Sequence, residues 1–192
     1  MSVGQLSDQL EVLDAKLTII LSKAEALRHY TNEQLLWKPK PEVWCISQIV
    51  HHLYLAEKVM LPEFQKAIIQ LRKDNKLSPG PFKYSFMEKI FIRIVSPNPP
   101  FKVPVPEIMI PVSQPDFVKE TLEPFLALQV GCRQLYLDAN GTDLKAAIIT
   151  SPVNKRMRFC IGAYMEGIAC HKEYHWLQIE AIEANPAFPK GN

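Results

Sequence analysis

No stretch of the 192-residue sequence approaches the run of about 20 uninterrupted apolar residues that spans a bilayer, so no membrane-crossing helix is expected. The first thirty residues carry Asp8, Glu11 and Asp14 among their apolar positions. They lack the basic start, apolar block and small-residue cleavage site of a secretory signal, which argues against export. Cysteine is scarce: Cys45, Cys132, Cys160 and Cys170 form no CxxC pair and no tight framework, and a reducing, cytoplasmic location is expected. Charge of one sign is missing too. The 22 Lys and Arg against 20 Asp and Glu leave a net charge of +2, and their scatter offers no phosphate-tracking face, so nucleic acid is not an expected partner. There is no Gly-rich phosphate loop, no GxSxG elbow and no paired-carboxylate motif, which ranks nucleotide chemistry, serine hydrolysis and glycosidase chemistry low.

What is present is an ordinary globular balance, 47% hydrophobic and 22% charged, which rules out disorder of the chain as a whole. With no internal repeat and no second-domain boundary, one domain over 1–192 is expected. Apolar side chains recur at helical spacing over residues 5–29 (Leu6, Leu10, Leu13, Leu17, Ile20, Leu27), which predicts a long amphipathic helix. Thr31 and Gln34 have the form of a capping box opening a short turn before Pro39 and Pro41. A second long helix is expected from about Cys45 to Arg72, with a kink or an early break at Pro62.

Nine of the sixteen prolines lie between Pro79 and Pro115, broken by one helical or strand-like run from Phe86 to Val95. This segment also carries Phe82, Phe91, Phe101, Ile108 and Ile110, too apolar for a solvated linker, which predicts an ordered crossover packed on the rest. The alternation from Phe101 to Pro106 could be extended, but its prolines exclude a central strand. Helical spacing returns from Gln114 to about Asp138, with Asn140-Gly141 as a stop, and a last helix is expected from about Phe159 to Ala184. Four long helices with a long connection between the second and third predict an all-α fold, a four-helix bundle with a proline-rich crossover.

Four of the five histidines fall in two clusters: His51 and His52 early in the second helix, His171 and His175 in the last. His171 and His175 are four apart, so at about 100° per residue they share one helical face within roughly 40°. Tyr164, Ile168, Gln178 and Ile182 lie within about 60° of that face, so the pair belongs to the buried stripe, whereas Lys172 and Glu173 point elsewhere. Gly167, one turn earlier on the same face, leaves room for a ligand or a neighbouring helix. On the second helix, His52 falls about 60° from Ile49 on the apolar stripe and His51 near 160° from it, so His52 is expected to face the core and His51 the solvent. Three inward histidines on two facing helices form an N3 metal site with at least one position open for water or substrate. Imidazole-only sites accept zinc, nickel, copper or iron, and affinity order does not choose among them.

Two segments carry a resemblance. LLWKPKPEVWCISQIVHHLYLAE, Leu35 to Glu57, is similar to the segment of DinB/YfiT-like metalloenzymes in which a tryptophan precedes a second helix bearing a histidine before leucine. Trp44, Gln48, His52 and Leu53 match, and Cys45 departs from the usual serine. HKEYHWLQIE, His171 to Glu180, resembles that family's last-helix motif of two histidines four apart followed by Gln-Ile, with Tyr174 where many members have arginine or histidine. The resemblance implies an up-down-down-up four-helix bundle, a divalent metal ion, zinc or nickel foremost, held by His52, His171 and His175, and a homodimer. It also implies a small-molecule substrate and a low-molecular-weight thiol cosubstrate, since members with known roles include transferases and isomerases that use bacillithiol or mycothiol. Metal-water hydrolysis and a non-catalytic metal-binding or dimerisation module are the alternatives.

The other notable residues have plainer expected roles. Cys170 and Cys160 read as buried structural thiols, and Trp37, Trp44 and Trp176 as packing residues. Lys155, Arg156 and Arg158 read as a solvated helix end, or else as a group that could greet an anionic substrate.

Overall fold

In the computed structural model, which describes residues 6–101, 103–112, 116–152 and 154–190, the first apolar stripe forms α1, Asp8–Ala26. Gln5, Lys102, Gln114 and Pro115, on which parts of the sequence expectations fall, lie outside the described residues. The Thr31–Gln34 capping box is present, with the Gln34 amide donating to Thr31 Oγ1 at 3.2 Å and the Thr31 amide to Gln34 Oε1 at 2.9 Å, and it opens α2, Asn32–Leu36. The second long helix is α3, Ile46–Lys73, and it runs through Pro62 without a break. Pro62 and Lys58, one turn before it, are both exposed, so the carbonyl that loses its N–H donor lies on the solvent side of the helix and water can satisfy it.

The described residues form six α-helices where spacing predicts four. Besides the short α2, the run from Phe86 to Val95 inside the connection is helical (α4), started by a second capping box between Ser85 and Glu88. The later helix opens with a widened turn, Val118–Leu122, and continues as α5, Glu123–Ala139. Pro124 at its start has no N–H to close an ordinary turn, which suits the wider one. The last helix, α6, covers Ile161–Glu183. Two three-residue strands, β1 (Ile148–Thr150) and β2 (Arg158–Cys160), pair antiparallel with Ile149 opposite Phe159. Strands this short cannot display a period-2 pattern, so spacing does not reveal them.

Each long helix packs on two others: α1 on α5 and α6, and α3 on α5 and α6. Lys16 pairs with Glu173 and Lys23 with Glu180, so α1 and α6 run in the same direction. Asp14 meets Arg133 and Arg28 meets Glu123, which makes α1 and α5 antiparallel. Between α3 and α6, His52 faces His175, Glu57 faces Lys172 and Phe64 faces Tyr164, again antiparallel. Leu77 and Thr142, just past the ends of α3 and α5, form an isolated bridge, so those two helices end together and run parallel.

The apolar interior falls into two clusters. One gathers Leu10 to Leu17 of α1, Met60 to Leu71 of α3, Cys132 to Ala139 of α5 and Ile161 to Ala169 of α6. The other gathers Ile20 to Leu27, Ile46 to Leu53, Leu122 to Leu126 and Trp176 to Ile182. Between them lies a polar layer of Glu57, Gln129, Lys172 and the candidate metal ligands. The space at Gly167 is taken by a neighbouring helix: a Cβ there would meet Phe91 Cε1 of α4 at 2.5 Å. Phe91 is itself held between Phe159 and Tyr164, with ring centroids at 5.0 and 5.1 Å. Glu88 ties α4 to the start of α6 by accepting from the Cys160 amide at 2.9 Å. Burial opposes its charge, but that bond and the Ser85 amide override the cost and hold its carboxyl down at about 2.

Candidate metal centre

Because α3 and α6 run antiparallel, the inward stripe of one meets that of the other, and His52 arrives beside His171 and His175. The Nε2 atom of His171 is 3.3 Å from that of His52 and 3.0 Å from that of His175. One ligand-capable atom from each lies within 4.8 Å of the others. The opposite ring nitrogens are occupied. His52 Nδ1 donates to the Met109 carbonyl at 2.8 Å, and His175 Nδ1 to the Gln178 side-chain carbonyl at 2.8 Å. A carbonyl can only accept, so each of these rings carries its proton on Nδ1 and keeps a lone pair on Nε2.

Two nitrogens with lone pairs thus converge on the Nε2 of His171. Burial disfavours protonation of all three rings: it lowers His52, brings His175 down to about 3, and puts His171 well below the ordinary histidine range. The neighbouring rings add to the effect for His171 and His175, so a proton is a poor bridge among them at neutral pH. A neutral three-nitrogen set with oriented outer nitrogens has the chemistry of a divalent metal site with open coordination positions, and the residues present fit such an ion. His52 and His175 are buried and His171 is half-buried.

Trp44, at the turn before α3, lies against two of these rings: its centroid is 5.0 Å from that of His52 and 6.1 Å from that of His175, nearly parallel to the latter at 24°. Its packing partners therefore include the candidate ligands. Tyr174 sits beside His175 at 5.0 Å. His51 corrects the wheel. It is 7% exposed, not solvent-facing, because the connection between α3 and α5 folds over that side of the helix and the Val112 amide donates to His51 Nδ1 at 3.0 Å. A helical wheel describes the face a helix turns from its own apolar stripe, and cannot show that a distant segment covers it.

Lys172 also departs from expectation. It points away from the histidines, but into the core, at 2% exposure. Its Nζ donates to Gln129 Oε1 at 2.9 Å and lies 3.4 Å from Glu57 Oε2, which also accepts from Gln129 Nε2 at 3.0 Å and from Cys132 Sγ at 3.3 Å. Burial alone would lower the ammonium pKa, and the Glu57 carboxylate reverses that and holds it above the ordinary lysine value. A signal existed: Glu57 is four residues after Leu53 and three before Met60, so a charge lies on the buried stripe.

The remaining sequence candidates lie elsewhere. Cys170 and Cys160 are buried, and burial raises both thiols, Cys160 to about 12, as suits structural side chains. Lys155, Arg156 and Arg158 are exposed around β2, and at about 1.5 Å per residue the start of α6 is some 15 Å from His171 along the helix axis. No helix of the described residues is long and apolar enough to cross a membrane.

No curated protein and no solved structure matches this chain. A family model does, over residues 23–179, a span that holds α3, α5, all three converging histidines and the polar layer beside them. With a match of that extent, and a three-histidine cluster on two facing helices within it, the chain belongs to the DinB superfamily.

Proposed function

We propose that the protein is a metal-dependent enzyme in which His52, His171 and His175 ligate one divalent ion, zinc or nickel, and a low-molecular-weight thiol adds to a small-molecule electrophile in a transferase reaction. The observation that carries this reading is the convergence of three Nε2 atoms while the Nδ1 protons of His52 and His175 are held by Met109 and Gln178. An ion held there supplies Lewis acidity that lowers the pKa of a thiol or water at its open position. The chain's own part is to keep three imidazoles neutral by burial, to fix two ring orientations, and to close one side of the cluster with Trp44. Three uncharged ligands leave the ion's charge unreduced, which favours an incoming thiolate.

Cobalt substitution makes the thiol step visible. The cobalt protein titrated with several small thiols is expected to gain a sulfur charge-transfer band, and the complex to consume thiol when offered a generic electrophile. A spectrum that no thiol alters, with no rate above that of His175→Ala, overturns the thiol-transfer reading and leaves metal-water hydrolysis or a non-catalytic role.

The reading includes a single-domain, up-down-down-up four-helix bundle of α1, α3, α5 and α6 with a proline-rich crossover, in a cytoplasmic homodimer. The ion pairs and ring contacts that set helix directions support that order. Phe101, Val103, Ile108, Ile110 and Val112 of the crossover are each more than half exposed and support the dimer. Light scattering at tens of micromolar, a rough concentration at which modest interfaces form, is expected to read the mass of two chains, and a monomer mass there rejects the dimer.

A further inference from the structure

The two outer-nitrogen contacts of the histidine cluster differ in kind. His175 is oriented by Gln178, one turn on in its own helix, so the contact is as rigid as α6. His52 is oriented by the Met109 carbonyl, 57 residues away in irregular chain. That carbonyl belongs to a short turn, Glu107–Met109, closed by the Met109 amide on Pro106 and the Ile110 amide on Glu107. The turn and the three residues after it are thinly attached: Met109 and Pro111 are buried, while Ile108, Ile110 and Val112 are each more than half exposed. A segment with so few buried contacts is held as well as its hydrogen bonds hold it. Besides the Met109 bond, its tie to α3 among the described residues is Val112, whose amide lies 3.0 Å and whose carbonyl 3.1 Å from His51 Nδ1.

We propose that His51 is a positioning residue for the metal centre, acting through this strap: by hydrogen bonding the Val112 backbone through Nδ1 it seats residues 109–112 on α3 and keeps the Met109 carbonyl on His52 Nδ1. The inference rests on the metal reading above. His51 does not ligate the ion itself, because consecutive helical residues diverge by about 100° and its ring points away from the cluster. The Tyr54 ring stacks on it at 6.2 Å and 18°, which fixes the plane in which Nδ1 meets the amide. When the strap is seated, the Met109 carbonyl raises the basicity of His52 Nε2 and removes the rotational freedom that metal binding would otherwise have to freeze. Adjacent histidines thus divide the work, one meeting the ion and the other meeting the chain that orients the first.

Two variants separate this from a merely structural role. His51→Leu fills the same buried space and removes the ring nitrogen that bonds Val112. His51→Asn places Oδ1 close to where Nδ1 stood, so it can accept from the Val112 amide. Zinc affinity by chelator competition, the visible spectrum of the cobalt protein, and exchange of the Val112 amide are the readouts. His51→Leu is expected to bind zinc about tenfold more weakly, at the low end of effects seen when an outer partner of a ligand is lost. Its cobalt spectrum should shift and its Val112 amide exchange faster. His51→Asn is expected to restore affinity to within about threefold of the parent, with the amide protected. Parent-like zinc affinity in His51→Leu overturns the proposal and leaves the metal reading standing, as does an equal loss in His51→Asn with the amide still protected. A parent protein that binds no zinc overturns both.

Discussion

Lys172→Met will destabilise the protein by about 3–5 kcal/mol, the cost of leaving one member of a buried ion pair without the other. Glu57 and Lys172 are each 2% exposed, so the carboxylate left behind is held away from bulk water. Its situation is already tight: Glu57 Oε1 has no hydrogen-bond partner among the described residues, and Oε2 receives the donors from Lys172, Gln129 and Cys132. Replacing both members, Glu57→Leu with Lys172→Met, removes the charges together, and should recover all but about 1–2 kcal/mol, the remainder reflecting the contact Gln129 loses. Urea unfolding of the two variants and the parent at neutral pH measures both quantities. A Lys172→Met loss under about 1 kcal/mol, the range of an exposed pair, would show that the layer is open to solvent. The sign of the pH dependence follows from the raised lysine: its contribution is complete below the unfolded-state value of about 10.4 and is lost only as pH climbs through the higher folded-state value.

Alanine in place of His52, His171 or His175 will cut the thermal response of the protein to zinc to about 1–4 °C. Free zinc at about a thousand times its dissociation constant stabilises a folded protein that binds it by about 4 kcal/mol. In a chain of this size that is a rise of roughly 10 °C in Tm. Each alanine removes one of three nitrogens and should cost two to three orders of magnitude in affinity, taking a ligand's share of a structural zinc site as about 3–4 kcal/mol. Differential scanning calorimetry with and without zinc reads the response directly. His51→Ala should keep a clear rise at saturating zinc, since it removes no ligand. A rise undiminished in His171→Ala, whose Nε2 faces both of the others, would place the ion somewhere other than this cluster.

The long helices and the histidine convergence were legible because both depend on periodicity. A stripe at 3.6-residue spacing says which side chains meet across a helix pair, and His52, His171 and His175 lie on such stripes. Of the kink or early break expected at Pro62, the break does not occur: the cost of a helical proline depends on where the freed carbonyl points, and here Pro62 and Lys58 are both on the solvent side. His51 was misplaced because a segment some 60 residues away covers its side of the helix, and long-range covering leaves no local trace. Lys172 and Glu57 were each visible as charges, but pairing them requires knowing that α3 and α6 run antiparallel with that register. The bounds of α4 were legible as the run from Phe86 to Val95, though ten residues among prolines left helix and strand open, while the β1–β2 pair was hidden by its brevity.

Contact with the Met109 carbonyl has an evolutionary corollary. A backbone group is supplied by every amino acid, so the strap can orient His52 while its exposed side chains change, provided buried Met109 and Pro111 keep the chain on the same path. Proline is the exception at positions 109 and 110, whose amides close the turn on Pro106 and Glu107. Drift along 107–112 would therefore remodel the rim of the site, where Ile108, Ile110 and Val112 face outward, without touching the ligands. On the proposed metal reading, a lineage built this way would vary the surface beside the three histidines while leaving the histidines themselves alone.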